Sequence, residues 1–258
     1  MKKIAHISDL HFGRVNKDAA EGLLVDIKNH APDLIIISGD LTQRARISQF
    51  KEARDYMKKL GFPVFVIPGN HDIPFFDVFR RFFAPLDRYR EYINDDLRPF
   101  YVDNEIAVYG INTARSNTWS EGRISMEQMA AMKEQLCGLP SDLLKIVVTH
   151  HPFIVPPGRV GIRIVGRAVR ALDIIDECQI DLLLAGHLHD AFHTDIRTYH
   201  TTRERSVIVA QAGTSISKRT RYMKPNSYNM IHAANNYLRI EERRWNDRTF
   251  ESSLVTTR

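Results

Sequence analysis

The chain has 258 residues, 43% hydrophobic and 26% charged, the balance of an ordinary soluble globular protein rather than a disordered or fibrous one. No stretch approaches the roughly 20 apolar residues of a membrane-spanning helix, and residues 1–12 lack the uninterrupted apolar run of a signal peptide. Lys and Arg outnumber Asp and Glu by five, which favours anionic ligands without demanding nucleic acid.

Residues 4–7 form a short β-branched run suited to a strand buried on both faces, and it leads into Asp9-Leu10-His11. Alternate residues of an extended chain share a side, so Asp9 and His11 can converge on one ion. A second run, 34–37, ends in Ser38-Gly39-Asp40. Residues 50–60 repeat Phe50, Ala53, Met57 and Leu60 at helical spacing. A third run, 64–67, ends in Pro68-Gly69-Asn70-His71-Asp72.

Residues 74–98 are rich in Phe and Arg and predict one or two short helices inserted after a loop, either packing their Phe side chains on the body or capping the site. Ser125 followed by Gln128 forms a capping box for a helix ending near Gly138. The run 146–148 leads to His150-His151. Residues 165–178 place Ala168, Leu172, Ile175 and Cys178 on one helical stripe. The run 182–184 ends in Ala185-Gly186-His187-Leu188-His189.

Beyond residue 190 the texture changes to strands over 205–211, 228–232 and 237–245, joined by polar turns. Strands alternating with helices predict an α/β fold, with a mixed sheet or two packed sheets to hold both halves. No repeat or low-complexity linker interrupts the chain, so one domain over 1–258 is expected. Cys137 and Cys178 are the only cysteines, and no Cys-x-x-Cys pair exists; reduced thiols and a cytoplasmic setting are the simplest expectation.

Any one of these loops is weak: Asp-x-His arises by chance, and Gly-Asp is common in turns. Five in succession, each after a buried strand, are specific, because ligand sites in open α/β sheets gather outside the carboxyl ends of strands. The series Asp9-x-His11, Gly39-Asp40, Gly69-Asn70-His71-Asp72, His150 and Gly186-His187-x-His189 resembles the calcineurin-like metallophosphoesterases. Within them it is similar to the branch holding cyclic-nucleotide and glycerophosphodiester phosphodiesterases. The resemblance implies a four-layer αββα sandwich of two mixed sheets flanked by helices.

It further implies that Asp9, His11 and His189 hold one metal and that Asn70, His150 and His187 hold another, with Asp40 bridging. His71 is implied to face the substrate, and Asp72 could fix its tautomer. Two cations about 3.5–4 Å apart would neutralise the phosphate, acidify a bridging water and orient it for in-line attack. A thiolate-free set of imidazole, carboxylate and amide ligands suits Mn, Fe, Zn or Co.

The expected activity is hydrolysis of a small phosphodiester. The alternatives are a nuclease, a nucleotide-lipid pyrophosphatase, or a scaffold that keeps the fold without catalysis. A homodimer is compatible with the sequence. Two basic stretches carry no assigned role. Arg159, Arg163, Arg167 and Arg170 would share a face if helical, and Lys218, Arg219 and Arg221 follow a glycine loop. Phe12, Trp119 and Tyr222 are candidate stacking partners for a base.

Overall fold

The fold is described from a computed structural model that covers residues 1–234 and 237–257. The chain runs β1 (Lys2–Ile7), α1 (Lys17–His30), β2 (Leu34–Ser38), α2 (Ile47–Leu60), β3 (Val64–Ile67), α3 (Val78–Phe83), α4 (Asp87–Tyr92), β4 (Phe100–Val102), β5 (Ile106–Ile111), α5 (Met126–Leu136), β6 (Leu144–Thr149), α6 (Ala168–Glu177), β7 (Leu182–Ala185), β8 (Phe192–Asp195), β9 (Ile208–Gln211), β10 (Ser227–Ala234), β11 (Tyr237–Trp245) and β12 (Phe250–Thr257). Among the described residues no helix is long and apolar enough to cross a membrane.

The strands make two six-stranded mixed sheets, ordered β12-β11-β10-β1-β2-β3 and β4-β5-β6-β7-β9-β8. In the first, β1, β2 and β3 are parallel and β10 runs against β1. In the second, β5, β6, β7 and β9 are parallel, with antiparallel β4 and β8 at the edges. Strand alternation sorts the apolar residues into three cores. Ile4, Leu34, Ile36, Val108, Ile146 and Leu184 meet between the sheets. Ile35 and Ile37 face Leu23 of α1 and Phe50 of α2, and Val147 and Leu183 face Met132 of α5 and Leu172 of α6. Four layers result, helix on sheet on sheet on helix, as expected. The strand runs are apolar throughout because both of their faces are covered.

The Ser125 capping box forms as read, with Gln128 N–H on Ser125 Oγ and Ser125 N–H on Gln128 Oε1. Helix α1 has no clear sequence signal. Its buried face is Ala19, Ala20, Leu23, Asp26 and Ile27, small residues and a carboxylate that dilute the apolar period. Asp26 is held by the Arg243 guanidinium at 2.6 and 2.8 Å and by the Tyr228 hydroxyl at 2.6 Å, which ties α1 to β10 and β11.

Two expectations change. Cys137 and Cys178, at the C-terminal ends of α5 and α6, form a disulfide, so the thiols are not free. They lie 41 residues apart and are brought together by helix packing that no local motif reports. In the 74–98 stretch two short helices form, but their Phe side chains do not pack on the body. Phe76, Phe79, Phe82 and Phe83 are 56–75% exposed, while Leu86 and Tyr89 are buried there instead.

Candidate metal centre

The parallel strands of both sheets deliver their carboxyl ends to one rim. Asp9 and His11 follow β1, Asp40 follows β2, Asn70 follows β3, His150 follows β6, and His187 and His189 follow β7. One ligand atom each from Asp9, His11, Asp40 and His189 lies within 4.8 Å of the others. His189 Nε2 stands 3.2 Å from Asp9 Oδ1 and 3.2 Å from His11 Nε2. Beside this group, Asn70 Oδ1 lies 3.1 Å from both His150 Nε2 and His187 Nδ1, and those two nitrogens are 3.3 Å apart. Asp40 sits between the groups, with Oδ2 3.7 Å from His11 Nε2 and Oδ1 3.3 Å from His150 Nε2. All seven residues named from the sequence therefore converge.

For Asp9, His150 and His189 the atoms turned inward are those left free by hydrogen bonds behind them, the usual arrangement around metal-ligating groups, whereas His11 Nδ1 has no partner and Asp40 Oδ1 also accepts from the His71 N–H at 2.8 Å. Asp9 Oδ2 accepts from the Ser8 hydroxyl and the His187 N–H, and buried Oδ1 has no hydrogen-bond partner. His150 Nδ1 bonds the Ser38 carbonyl at 2.7 Å, and His189 Nδ1 bonds the Arg219 carbonyl at 2.6 Å. An orphaned buried carboxylate oxygen amid inward-facing imidazole nitrogens fits cations and fits nothing apolar. Burial opposes charge on Asp9 and Asp40, but the surrounding histidines outweigh it and hold both carboxyls well below their usual range. Burial likewise opposes charge on His150, yet Asp40 and Asp9 raise it to about 9. Burial lowers His187 to about 3. His151 bonds Thr113 Oγ1 through Nδ1 at 2.7 Å, its buried Nε2 has no hydrogen-bond partner, and a ligand nitrogen of His151 lies within 4.8 Å of those of His150 and His187, so it stands beside this group as well.

The backbone bends sharply to make this rim. Asp9, His11, Asp40, His187 and His189 all have left-handed φ, between 47° and 71°. Non-glycine residues adopt this region rarely and at a cost, and such strain concentrates at functional sites. Gly39 is left-handed too, and a Cβ there would stand 2.7 Å from His150 Nδ1. A Cβ on Gly186 would collide with Ser8 Oγ and lie 2.7 Å from Asp9 Oδ2.

His71 faces the site without joining either group. Its Nδ1 donates to the Gln43 carbonyl at 3.0 Å, and Nε2 accepts from Arg219 Nη1 at 2.6 Å. Burial lowers the ring to about 4, so it is neutral. The expected pairing of Asp72 with His71 does not form. Asp72 is buried and accepts instead from the N–H groups of Leu41, Thr42 and Gly69 and from the Thr42 hydroxyl. Adjacent residues in the tight turn Asn70–Asp72 point apart, and Asp72 ties the Asp40 loop to the Gly69 loop. Burial, with Asp40 nearby, raises Asp72 to about 7.

Above the ligands opens a cleft of about 240 Å³, lined by Arg44, Phe75, Trp119, Arg219 and Arg221 among others. Phe75 alone of the 74–98 Phe residues reaches it, stacked 4.5 Å from Trp119, so that stretch walls one side. Phe12 is buried in the core, and Tyr222 packs 3.5 Å from the Arg159 guanidinium; neither lines the cleft. The helical face of four arginines is absent. Gly158 and Gly161 are left-handed, and the helix begins only at Ala168. Arg159 binds Asp190, Arg163 binds Glu121, and Arg167 caps the helix. Arg219 was singled out only as part of a basic loop; its hydrogen bond to His71, 148 residues away, has no signature in sequence.

A family model described as Calcineurin-like phosphoesterase matches residues 2–191. The chain is 25% identical to a probable cyclic nucleotide phosphodiesterase of Synechococcus sp., over 73% of this chain and 74% of that one. It is 31% identical to a probable glycerophosphodiester phosphodiesterase of Arcobacter nitrofigilis, over 61% of this chain and 57% of that one. Among solved structures, a dimetal phosphatase from Danio rerio superposes with a TM-score of 0.68 at 12% identity, covering 97% of this chain and 98% of the other. A yellow lupin purple acid phosphatase gives 0.74 at 12% identity, covering 99% of this chain and 53% of that one. With the sandwich, the convergent rim and a family match that spans all seven candidate ligand positions, the chain belongs to the calcineurin-like phosphoesterase family.

Proposed function

We propose that this protein is a dinuclear metal-dependent phosphodiesterase. One observation carries the reading: Asp40 stands between two donor clusters, with Oδ2 3.7 Å from His11 Nε2 and Oδ1 3.3 Å from His150 Nε2, where its carboxylate could serve two ions. Asp9, His11 and His189 would hold one ion, and Asn70, His150 and His187 the other. Bound there, Mn, Fe, Zn or Co ions would neutralise phosphoryl oxygens and acidify a water.

The chain's own residues do the rest. Arg219, half-buried in the cleft, offers its guanidinium to a phosphoryl oxygen. His71 fixes that guanidinium from behind through Nε2, and the Gln43 carbonyl fixes the ring. Phe75 and Trp119 form an apolar wall for the esterifying group. Asp72 holds two ligand-bearing loops in register. The names of the relatives favour a small phosphodiester, a cyclic nucleotide among them. A cytoplasmic location belongs to the proposal, and counting thiols in protein taken from the cell tests it against the Cys137–Cys178 bond.

The test is to load purified protein with each metal in turn. It is then offered bis(p-nitrophenyl) phosphate, the p-nitrophenyl monoester, cyclic AMP, single-stranded DNA and a nucleotide diphospho-lipid. Diester hydrolysis that vanishes on chelation is expected; inertness toward every diester under all four metals would sink the reading.

A further inference from the structure

Next to the cleft lies a second groove, of about 680 Å³, lined by Gly13, Arg14, Gln43, Arg44, Arg46, Gln49, Lys218 and Arg219. The two share Gln43, Arg44 and Arg219, so one opens into the other. Five of the eight lining residues are cations, and none is acidic. Among the described residues, no carboxylate lies within ion-pair distance of Arg14, Arg44, Arg46, Lys218 or Arg219; elsewhere Arg80, Arg159, Arg163, Arg197, Arg203, Arg205, Arg243 and Arg244 are paired, and Arg81, Arg115 and Arg167 are held by backbone carbonyls instead. The acids that attract Arg219 are Asp40 and Asp9, the carboxylates assigned to metal.

Like charges gathered without counter-charge repel one another, so something holds them there. The groove walls are tied together through the backbone. Lys218 N–H donates to the Arg14 carbonyl at 2.8 Å, Asn16 N–H to Ile216 at 2.7 Å and Gln43 N–H to Phe12 at 2.9 Å. Arg44 N–H is fixed by Gln49 Oε1 at 2.9 Å. The loops carrying the cations are thus set in place before any ligand arrives, which lowers the ordering cost of binding an anion.

We propose, resting on the phosphodiesterase reading, that the groove is a binding track for the phosphates that follow the scissile one, and that the substrate class is a single-stranded oligonucleotide. A cyclic nucleotide or a glycerophosphodiester carries a single phosphate, which the metal rim would take, and so offers the groove's cations none. The track is nearly three times the size of the cleft, too roomy for one extra phosphate. In the cleft wall, Phe75 (39% exposed) and Trp119 (56% exposed) pack 4.5 Å apart, with Arg44 4.9 Å from the Phe75 ring centre and Arg81 4.1 Å from that of Trp119, so a base would stack on the ring surface these contacts leave open. A basic groove beside exposed aromatic rings is the arrangement that grips a single strand through its backbone while stacking its bases.

The test uses full-length, manganese-loaded protein and fluorescein-labelled decathymidylate. Anisotropy is followed between 50 and 200 mM KCl, and bis(p-nitrophenyl) phosphate hydrolysis is measured in parallel. Each lost phosphate contact lowers the slope of log affinity against log salt by about 0.7 on a single strand. The double variant Arg14→Ala/Lys218→Ala should lose about 1.4 of that slope, and Arg46→Ala alone about 0.7, while hydrolysis of the small diester stays within twofold. An unchanged slope in both variants, or no binding by the wild type, overturns the track. Inorganic polyphosphate of ten units binding as tightly as the decathymidylate overturns the nucleic-acid assignment. Binding with the expected slopes but without any small-diester hydrolysis supports the track and counts against the phosphodiesterase reading alone.

Discussion

Residues 155–170 follow the His150 loop and residues 214–222 follow β9, and both carry several cations, yet the two stretches end in different roles. In the first, Arg159 meets Asp190, Arg163 meets Glu121 and Arg167 bonds the Ile124 carbonyl. In the second, Lys218, Arg219 and Arg221 meet no carboxylate, and two of them line the cleft over the metal rim. What separates the structural arginines from those at the rim is the acceptor opposite them, a carboxylate or a backbone carbonyl that comes from elsewhere in the chain. A cationic run in sequence therefore fixes the number of charges and leaves their use open.

The comparison breaks most readily at the best-paired arginine. Arg243 shares Asp26 with Tyr228 in a nearly buried cluster between α1 and β11. Asp26→Ala would leave the Tyr228 hydroxyl without its acceptor and Arg243 with only Glu241 and the Phe250 carbonyl. The expected loss is about 3 kcal/mol of unfolding free energy by urea titration, with kcat on the small diester unchanged in the folded fraction. A loss below 1 kcal/mol would mean that pairing does not mark the structural arginines.

Arg219→Ala tests the opposite class. Removing a donor aimed at developing phosphoryl charge is expected to lower kcat/KM about 10²-fold, with metal content and melting temperature as in the wild type. His71→Ala should cost a similar factor because His71 holds that guanidinium. The double variant should then lose little more than either single change, since residues acting as a unit are not additive. Fully multiplicative losses would give His71 a role of its own.

The division among arginines also shows how far the sequence could be read. The five ligand loops were legible because each is local: a β-branched run, a turn and a His, Asp or Asn within a few residues. The change of texture after residue 190 left one mixed sheet or two packed sheets open, and the resemblance to the calcineurin-like metallophosphoesterases implied the two-sheet sandwich that forms. Asp72 was misjudged because its partners, Leu41 and Thr42, arrive from about 30 residues away. The four arginines would share a face only if their stretch were helical throughout, and it is not, because Gly158 and Gly161, which already weaken a helix there, adopt left-handed backbone. The left-handed conformation of the ligand residues themselves had no signal, since Asp and His do not announce it as glycine does.

A smaller effect is expected at Arg159. Its guanidinium covers Asp190, which is 2% exposed and is also approached by Lys224. With Lys224 remaining, Arg159→Ala should cost about 2 kcal/mol, the value of a hydrogen bond to a charged group, and should leave turnover within twofold. A tenfold loss of turnover at full stability would move Arg159 into the functional class.

The histidines divide as the arginines do, and His6 gives the last test. His6 lies on β1 inside the sandwich, fully buried, with Nε2 2.9 Å from Ser38 Oγ and Nδ1 3.4 Å from Asn229 Nδ2. Burial, reinforced by His193, lowers it from 6.5 to about 3, so it is neutral in the folded protein. The unfolded chain takes up a proton as pH falls through 6.5 and the folded chain does not. The His6 contribution to stability is therefore complete above pH 6.5 and is lost progressively toward pH 3, at about 1.4 kcal/mol per unit. His6→Gln keeps a hydrogen-bonding group facing Ser38 and removes the titration. Between pH 6.5 and 5 its unfolding free energy should fall by about 2 kcal/mol less than that of the wild type. Urea titrations at the two pH values would show it, and parallel losses in the two proteins would mean that the imidazole accepts its proton inside the fold.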